Sequence, residues 1–272
     1  MSATTIERTE AIQPGPPSRS GGRRAVTHAL VLTRRHLLHV VRTPGLALGS
    51  SVQPIMFLLL FNFVFGGAIS RDGSYIDFVV PGIVVQFLVF IAFGTGIGLN
   101  ADISGGIVDR FRSLPIARSA VLSGRVLSDA IRCAFNVVLL VAVGALLGFR
   151  FSTGVVPVTG AFLLAIAFGV AMAWVGAWIG LTARSPEAVQ SVGFIWVFPL
   201  TFASSVFVPT QTMPGWLQAF VKVNPLTNVA DALRALALGG PTTTSLMGSL
   251  AWTTAILVTF SALAVRQYRR IQ

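Results

Sequence analysis

The sequence predicts an all-α membrane protein that crosses a bilayer six times as helices. Three observations predict it. Only 11% of the 272 residues are charged against 54% hydrophobic, with a mean hydropathy of +0.78; a soluble surface draws on about 25% charge. The apolar residues also gather in long blocks free of Asp, Glu, Lys and Arg, and about 20 helical residues cross a ~30 Å hydrocarbon core. Finally, the blocks are continuously apolar rather than alternating, which favours helices over a barrel.

Residues 1–24 carry Pro14, Pro16, Pro17, Gly21 and Gly22 among scattered charges. They are expected to form a disordered cytoplasmic tail, without the apolar core of a secretory signal. Ala25 to Arg42 reads as an amphipathic helix lying along the membrane surface. Arg24, His28, Arg35, His39 and Arg42 share one helical face, and Val26, Leu30, Leu37 and Val41 lie opposite. Arg34 and His36 fall off the basic face, and a plain topogenic basic flank is the alternative.

The spans follow at about 46–66, 78–99, 126–149, 155–181, 188–208 and 246–265, making residues 25–265 one transmembrane domain. The third is short unless Val126–Arg132 extends it as helix, leaving Arg125 and Arg132 near the interface. The fourth is long enough to tilt. Residues 266–272 close the chain as a basic cytoplasmic tail. With an even span count the termini share a side, and that side receives 16 of the 20 Lys and Arg residues. The bias toward basic cytoplasmic loops therefore puts both termini in the cytoplasm. It also explains the net charge of +11 better than nucleic-acid binding does, because basic residues flank membrane spans on the cytoplasmic side.

Between spans two and three, Ile107, Phe111 and Leu114 recur at helical spacing after Gly105–Gly106, and Pro115 ends the pattern. Periodicity alone leaves two readings: a short amphipathic helix docking to a soluble partner, or a solvated linker. After span five, Pro199, Pro209, Pro214 and Pro225 interrupt a stretch that stays apolar through Phe207, Trp216, Leu217 and Phe220. Non-helical backbone at membrane depth persists only against protein or a wet cavity. Short external helices, partly re-entrant or interfacial, are therefore expected, with Trp216 at headgroup level. Asp231 and Arg234, three residues apart on a helix, are expected to pair.

Several chemistries lack their residues. Lys222 is the one lysine and lies in Val221-Lys222-Val223, so no phosphate-cradling P-loop exists. No zinc-protease or serine-hydrolase motif is present, and Cys133 has no disulfide partner. No metal or catalytic residue is expected. The apolar blocks, the third counted from Cys133 to Phe149, hold no formal charge, which disfavours an ion-coupled antiporter. Gln53, Asn62, Gln86, Asn136 and Gln190, with Ser204 and Ser205, are the polar residues expected inside spans. They either bond across helices or contact substrate. Gly94/Gly98, Gly144/Gly148 and Gly176/Gly180 have helix-packing spacing.

Two segments resemble a known family. Asp102 to Ser119, DISGGIVDRFRSLPIARS, resembles the second cytoplasmic region of type-2 ABC exporter permeases. Its run Asp109-Arg110-Phe111-Arg112-Ser113-Leu114-Pro115 is similar to the daunorubicin-resistance membrane subunits. The other segment runs from Pro199-Leu200 through Val208-Pro209, Met213-Pro214-Gly215-Trp216 and Asn224-Pro225-Leu226-Thr227 to Asp231-Ala232-Leu233-Arg234. It resembles the end of the same family. Where many relatives carry Glu, Asp102 and Asp109 stand here, which keeps the charge.

The resemblance implies a half-transporter in the bacterial plasma membrane: two such permeases, identical or homologous, with two separate ABC ATPase subunits that hold ATP and Mg. It implies an ATPase-coupling helix carrying Ile107, Asp109, Arg110, Phe111, Arg112 and Leu114. It makes the segment with Arg35, His39 and Arg42 the interfacial helix. It also makes the segment with Pro209, Pro214, Trp216, Asn224 and Pro225 an external gate. An uncharged interior favours amphipathic drugs, antibiotics, lipids or glycolipids as cargo, with lipid-linked glycan or polysaccharide export as the alternative.

Overall fold

A computed structural model describes residues 44–69, 75–105 and 118–271. The described chain is helical. Helix α1 (Pro44–Leu60) passes through a π-helical turn (Phe61–Phe65) and regains α geometry over Gly66–Ile69. Then come α2 (Tyr75–Ser104), α3 (Arg118–Leu146), α4 (Val155–Thr182) and α5 (Pro186–Phe202). A 3₁₀ turn (Thr210–Thr212), two short helices α6 (Gly215–Val223) and α7 (Pro225–Leu238), and the long α8 (Thr243–Ile271) complete the order.

Among the described residues, four stretches are long and apolar enough to cross a bilayer: Tyr75–Ser104, Ser128–Leu146, Val155–Thr182 and Thr243–Arg270. Ser51–Phe65 forms a shorter apolar helix, and α5 has 17 residues, the lower end of what spans. Large apolar side chains stay exposed on the outer faces, among them Met56 of α1, Phe63 of the π-helical turn, Ile195 of α5 and Met247 of α8. Water would not tolerate so wide an apolar belt; lipid does.

Helix α2 is apolar on every side and buried along most of its length, from Tyr75 to Asn100, as expected of a helix inside a bundle. Its main neighbour is α4, and small residues let the two backbones meet. A Cβ on Gly96 would lie 2.7 Å from the Gly176 carbonyl oxygen, one on Gly176 would collide with the Ala92 carbonyl, and one on Gly180 with that of Gly96. Without a hydrophobic drive between helices in lipid, such close packing is a principal source of cohesion. Gly176→Val should therefore cost ~1–3 kcal/mol or more by overpacking. Thermal aggregation of detergent-solubilised protein should show it, with Gly160→Ala near neutral because its methyl would meet only Leu236, at 3.9 Å.

The other paired glycines do different work. Gly144 lies against Val80, Gly94 against the Arg132 guanidinium, and Gly148 (φ +115°) turns the chain after α3. Asn100 donates to the carbonyls of Gly180 (3.0 Å) and Ala183 (2.8 Å), tying the end of α4 to α2. Start signals at α5 are complete: Ser185 accepts from the Ala188 N–H (3.2 Å), Pro186 stands in the first turn and Glu187 follows.

One expectation changes. The fifth apolar block, read as a span over 188–208, is helical only to Phe202; Val206 and Phe207 are buried in a turn. Helix α8 runs on through the basic segment to Ile271, and its Ala264 and Tyr268 pack on Leu99, Ala177 and Leu181.

Candidate functional site

The residues expected to couple to an ATPase, Ile107, Asp109, Arg110, Phe111, Arg112 and Leu114, lie outside the described residues, as do Arg35, His39 and Arg42 of the interfacial segment. The site that is described is a cleft between helices, with Gln53, Gln190 and Phe194 exposed along it. A cavity of about 250 Å³ opens between α1, α2, α3 and α5. Gln53 and Phe57 reach it from α1, Gln86 and Phe90 from α2, and Gln190 and Phe194 from α5. The amides expected inside the spans thus divide. These glutamines line the cavity, while Asn136 of α3 receives the Ser51 hydroxyl of α1 at 2.6 Å as a helix-to-helix bond.

One wall of this cavity is Arg132. Arg132, expected near the interface at the start of span three, also turns toward its neighbours here. Its Nη2 lies 2.9 Å from Asp129 Oδ1, one helical turn earlier on α3, and Thr95 of α2 donates to Asp129 Oδ2 at 2.6 Å. Asp129 is buried at 7% exposure, and both of its oxygens find a hydrogen-bonding partner, as a buried polar group requires. A charged pair therefore stands just before the charge-free block that begins at Cys133.

The second constellation holds the turn after α5. Arg234 of α7 donates from Nε to the Phe78 carbonyl (3.0 Å) and from Nη2 to those of Ser205 (2.7 Å) and Val206 (3.3 Å). Its Nη1 reaches Asp231 Oδ1 (2.7 Å), the expected pair, and the Ser205 hydroxyl (3.1 Å). The guanidinium carbon rests 3.6 Å from the Phe78 ring centroid. Around it, the Tyr75 hydroxyl donates to the Phe207 carbonyl (2.8 Å), and the Ser205 N–H donates to Thr227 Oγ1 (3.1 Å). Buried irregular backbone is tolerable because side chains supply the partners that a helix would have.

The residues expected at a gate are found here in structural positions. Asn224, 3% exposed, donates to the carbonyls of Leu200 and Ala203 (2.7 Å each) and accepts from the Leu226 N–H (2.9 Å). It closes α5 and caps α7 at once. Pro225 opens α7, Pro214 precedes α6 and Pro209 precedes the 3₁₀ turn. Trp216 is 77% exposed, as a headgroup-level indole would be. Sequence reasoning found this segment through its prolines. It missed Arg234 as the hub, because Phe78 lies 156 residues away.

Comparison with known proteins bears on the whole chain. The family described as ABC-2 type transporter matches residues 27–238. The chain is 36% identical over 255 residues to a daunorubicin resistance ABC transporter permease protein of Streptomyces coeruleorubidus, covering 92% of this chain and 90% of that one. It is 29% identical over 261 residues to a probable doxorubicin resistance ABC transporter permease protein of Mycobacterium tuberculosis, covering 94% and 93%. It is also 27% identical over 221 residues to a putative transport permease of Cyanophora paradoxa, covering 78% and 74%.

Proposed function

This chain belongs to the ABC-2 type transporter family, and from that premise we propose that it is the membrane subunit of an ATP-driven exporter. It moves amphipathic drugs, antibiotics, lipids or glycolipids from the cytoplasm or inner leaflet outward. The observation that carries the cargo reading is the cavity of about 250 Å³, whose wall joins phenylalanines to three glutamine amides and Arg132. Apolar surface with a few placed polar groups is what an amphipathic ligand needs.

The rest follows from the chemistry the chain lacks. It has no P-loop lysine, so ATP and Mg belong to a partner ATPase, bound in two copies to two permeases. Residues 107–114 form the knob that seats in that ATPase. The chain crosses six times, α1 and α5 being the short spans, with both termini cytoplasmic. Helices α6 and α7 then lie on the outer side, where they dip into the membrane and close the exit at Pro209, Pro214, Trp216, Asn224 and Pro225. The segment with Arg35, His39 and Arg42 lies along the inner surface.

Inside-out vesicles holding this permease and its cognate ATPase should take up doxorubicin, followed by its fluorescence, only with hydrolysable ATP. Uptake that persists without the ATPase, or that collapses with an uncoupler while ATP is present, overturns the reading.

A further inference from the structure

Helix α2 meets its two neighbours in different ways. Against α4 the backbones themselves touch at Gly96, Gly176 and Gly180, with no side chain between them to yield. Against α3 a glycine gives such an approach at the far end, where a Cβ on Gly144 would lie 2.8 Å from a Val80 methyl. Toward the other end, polar side chains make the joint. Thr95 of α2 and Asp129 of α3 are both buried. The Thr95 hydroxyl carries one proton and has two acceptors within reach, Asp129 Oδ2 at 2.6 Å and the Ile91 carbonyl at 3.1 Å. The shorter contact is to a carboxylate, and charge-assisted bonds are the stronger kind, so the proton goes across to α3. Asp129 also holds Arg132 at 2.9 Å, and that guanidinium lies over α2 at Gly94, where a Cβ would stand 3.4 Å from Nη2. Helix α3 thus grips α2 at two consecutive residues, Gly94 and Thr95.

Thr95 and Asp129 stand at nearly equal distance from the segment that joins their helices. Thr95 is nine residues before the end of α2 at Ser104, and Asp129 eleven after the start of α3 at Arg118. At ~1.5 Å per residue, each arm is about 15 Å of helix. The expected coupling residues, Ile107 to Leu114, fall on the segment between the arms. A push there enters the bundle along both helices, and the grip decides whether they move together or shear. Arg132 belongs to the grip and to the cavity wall alike, so relative movement of α2 and α3 is felt at the cavity.

Building on the exporter reading, we propose that Thr95, Asp129 and Arg132 clasp α2 to α3, so that a displacement of the segment between these helices is carried to the cavity rather than lost as shear. Thr95 and Asp129 are positioning residues; neither lines the cavity, and both act through Arg132 and the helix pair. The clasp carries the coupling between nucleotide state on the ATPase and cargo affinity in the permease, a quantity that is reciprocal between the two sites. Coupling requires an element with two arrangements. A hydrogen-bonded joint has them where glycine packing does not, because the Ile91 carbonyl gives the Thr95 proton a second resting place when α3 moves away.

The test measures doxorubicin affinity by its fluorescence in nanodiscs that hold the permease with its cognate ATPase, first without nucleotide and then trapped with ATP and vanadate. In the unaltered complex the affinity should change about tenfold between the two states, within the ~5–150-fold typical of coupled sites. Thr95→Val keeps the shape of the side chain, removes the hydroxyl and leaves Asp129 paired with Arg132. It should shrink the change to under about twofold, while nucleotide-free affinity and ATP hydrolysis persist, and the effect of doxorubicin on nucleotide affinity should shrink by the same factor. Thr95→Ser keeps the donor and should behave as the unaltered complex. A residue that only holds the fold would lower the melting temperature without altering the ratio of the two affinities. Should Thr95→Val fail to fold, Thr95→Ala takes its place with the same expectation. A full affinity change in the hydroxyl-free variant, or one lost equally in Thr95→Ser, would overturn the clasp while leaving the exporter reading in place. No change on trapping in the unaltered complex would sink the exporter reading and the clasp with it.

Discussion

Phe111→Asp and Leu114→Asp should each abolish co-purification of the permease with its ATPase, while membrane insertion and detergent-extractable yield stay at wild-type levels. At 100° per residue Ile107, Phe111 and Leu114 fall within about 60° of one another, so on a helix they would share a single apolar stripe. Docked in a groove, that stripe is desolvated, and a carboxylate introduced there must be buried without a partner. Anchors of this kind are worth ~2–4 kcal/mol on truncation, and burying an unpaired charge costs further. The affinity should fall by at least about 30-fold. Export should fall with it, because a pump without its own nucleotide site has no other route to hydrolysis energy. Ser113→Asp, on the opposite side of the same turn, should leave association unchanged. If Phe111→Asp and Leu114→Asp retain the ATPase normally, residues 107–114 are not the coupling element.

The long helices were legible because lipid imposes one strong rule on sequence: a span must be apolar for its whole length. Helices α2, α4 and α8 obey it and lie where their blocks are. The start of α5 was legible from Ser185-Pro186-Glu187, a purely local signal. Its end was not. Val206, Phe207 and Val208 carry the hydropathy of a span, yet Val206 and Phe207 are buried in a turn whose carbonyls answer to Arg234 and Tyr75. Hydropathy records burial; it does not record which group satisfies the backbone.

The same gap hid the polar wall of the cavity. Arg132, read beside Arg125 as a residue near the interface, also turns toward its neighbours, because Asp129 precedes it by one turn and Thr95 approaches from a helix 34 residues away in sequence. The Asp129–Arg132 spacing was visible, but the Thr95 contact depends on how α2 and α3 cross.

Arg234→Met should be the most destabilising single change among the described residues that removes no backbone freedom. Methionine keeps the bulk of the side chain and removes every donor. The carbonyls of Phe78, Ser205 and Val206 lose those donors, and Asp231 loses its ion partner. In water such groups would rehydrate, but this turn is buried, with Ser205 at 2% and Val206 at 0% exposure. Removing one member of a buried, multiply bonded charge cluster costs ~3–5 kcal/mol, which would lower the apparent melting temperature on the order of 10 °C. Arg234→Lys should recover little, since an ammonium is a point donor and cannot reach carbonyls on two sides as the planar fork does. The double variant Arg234→Met/Asp231→Leu separates the ion pair from the carbonyls. Asp231 is 40% exposed in its side chain, so its unpaired charge can hydrate, and removing it should restore only a small part of the loss. Full recovery in the double variant would mean that the cost lay in the stranded carboxylate, and that Asn224 and Tyr75 alone suffice to hold the turn.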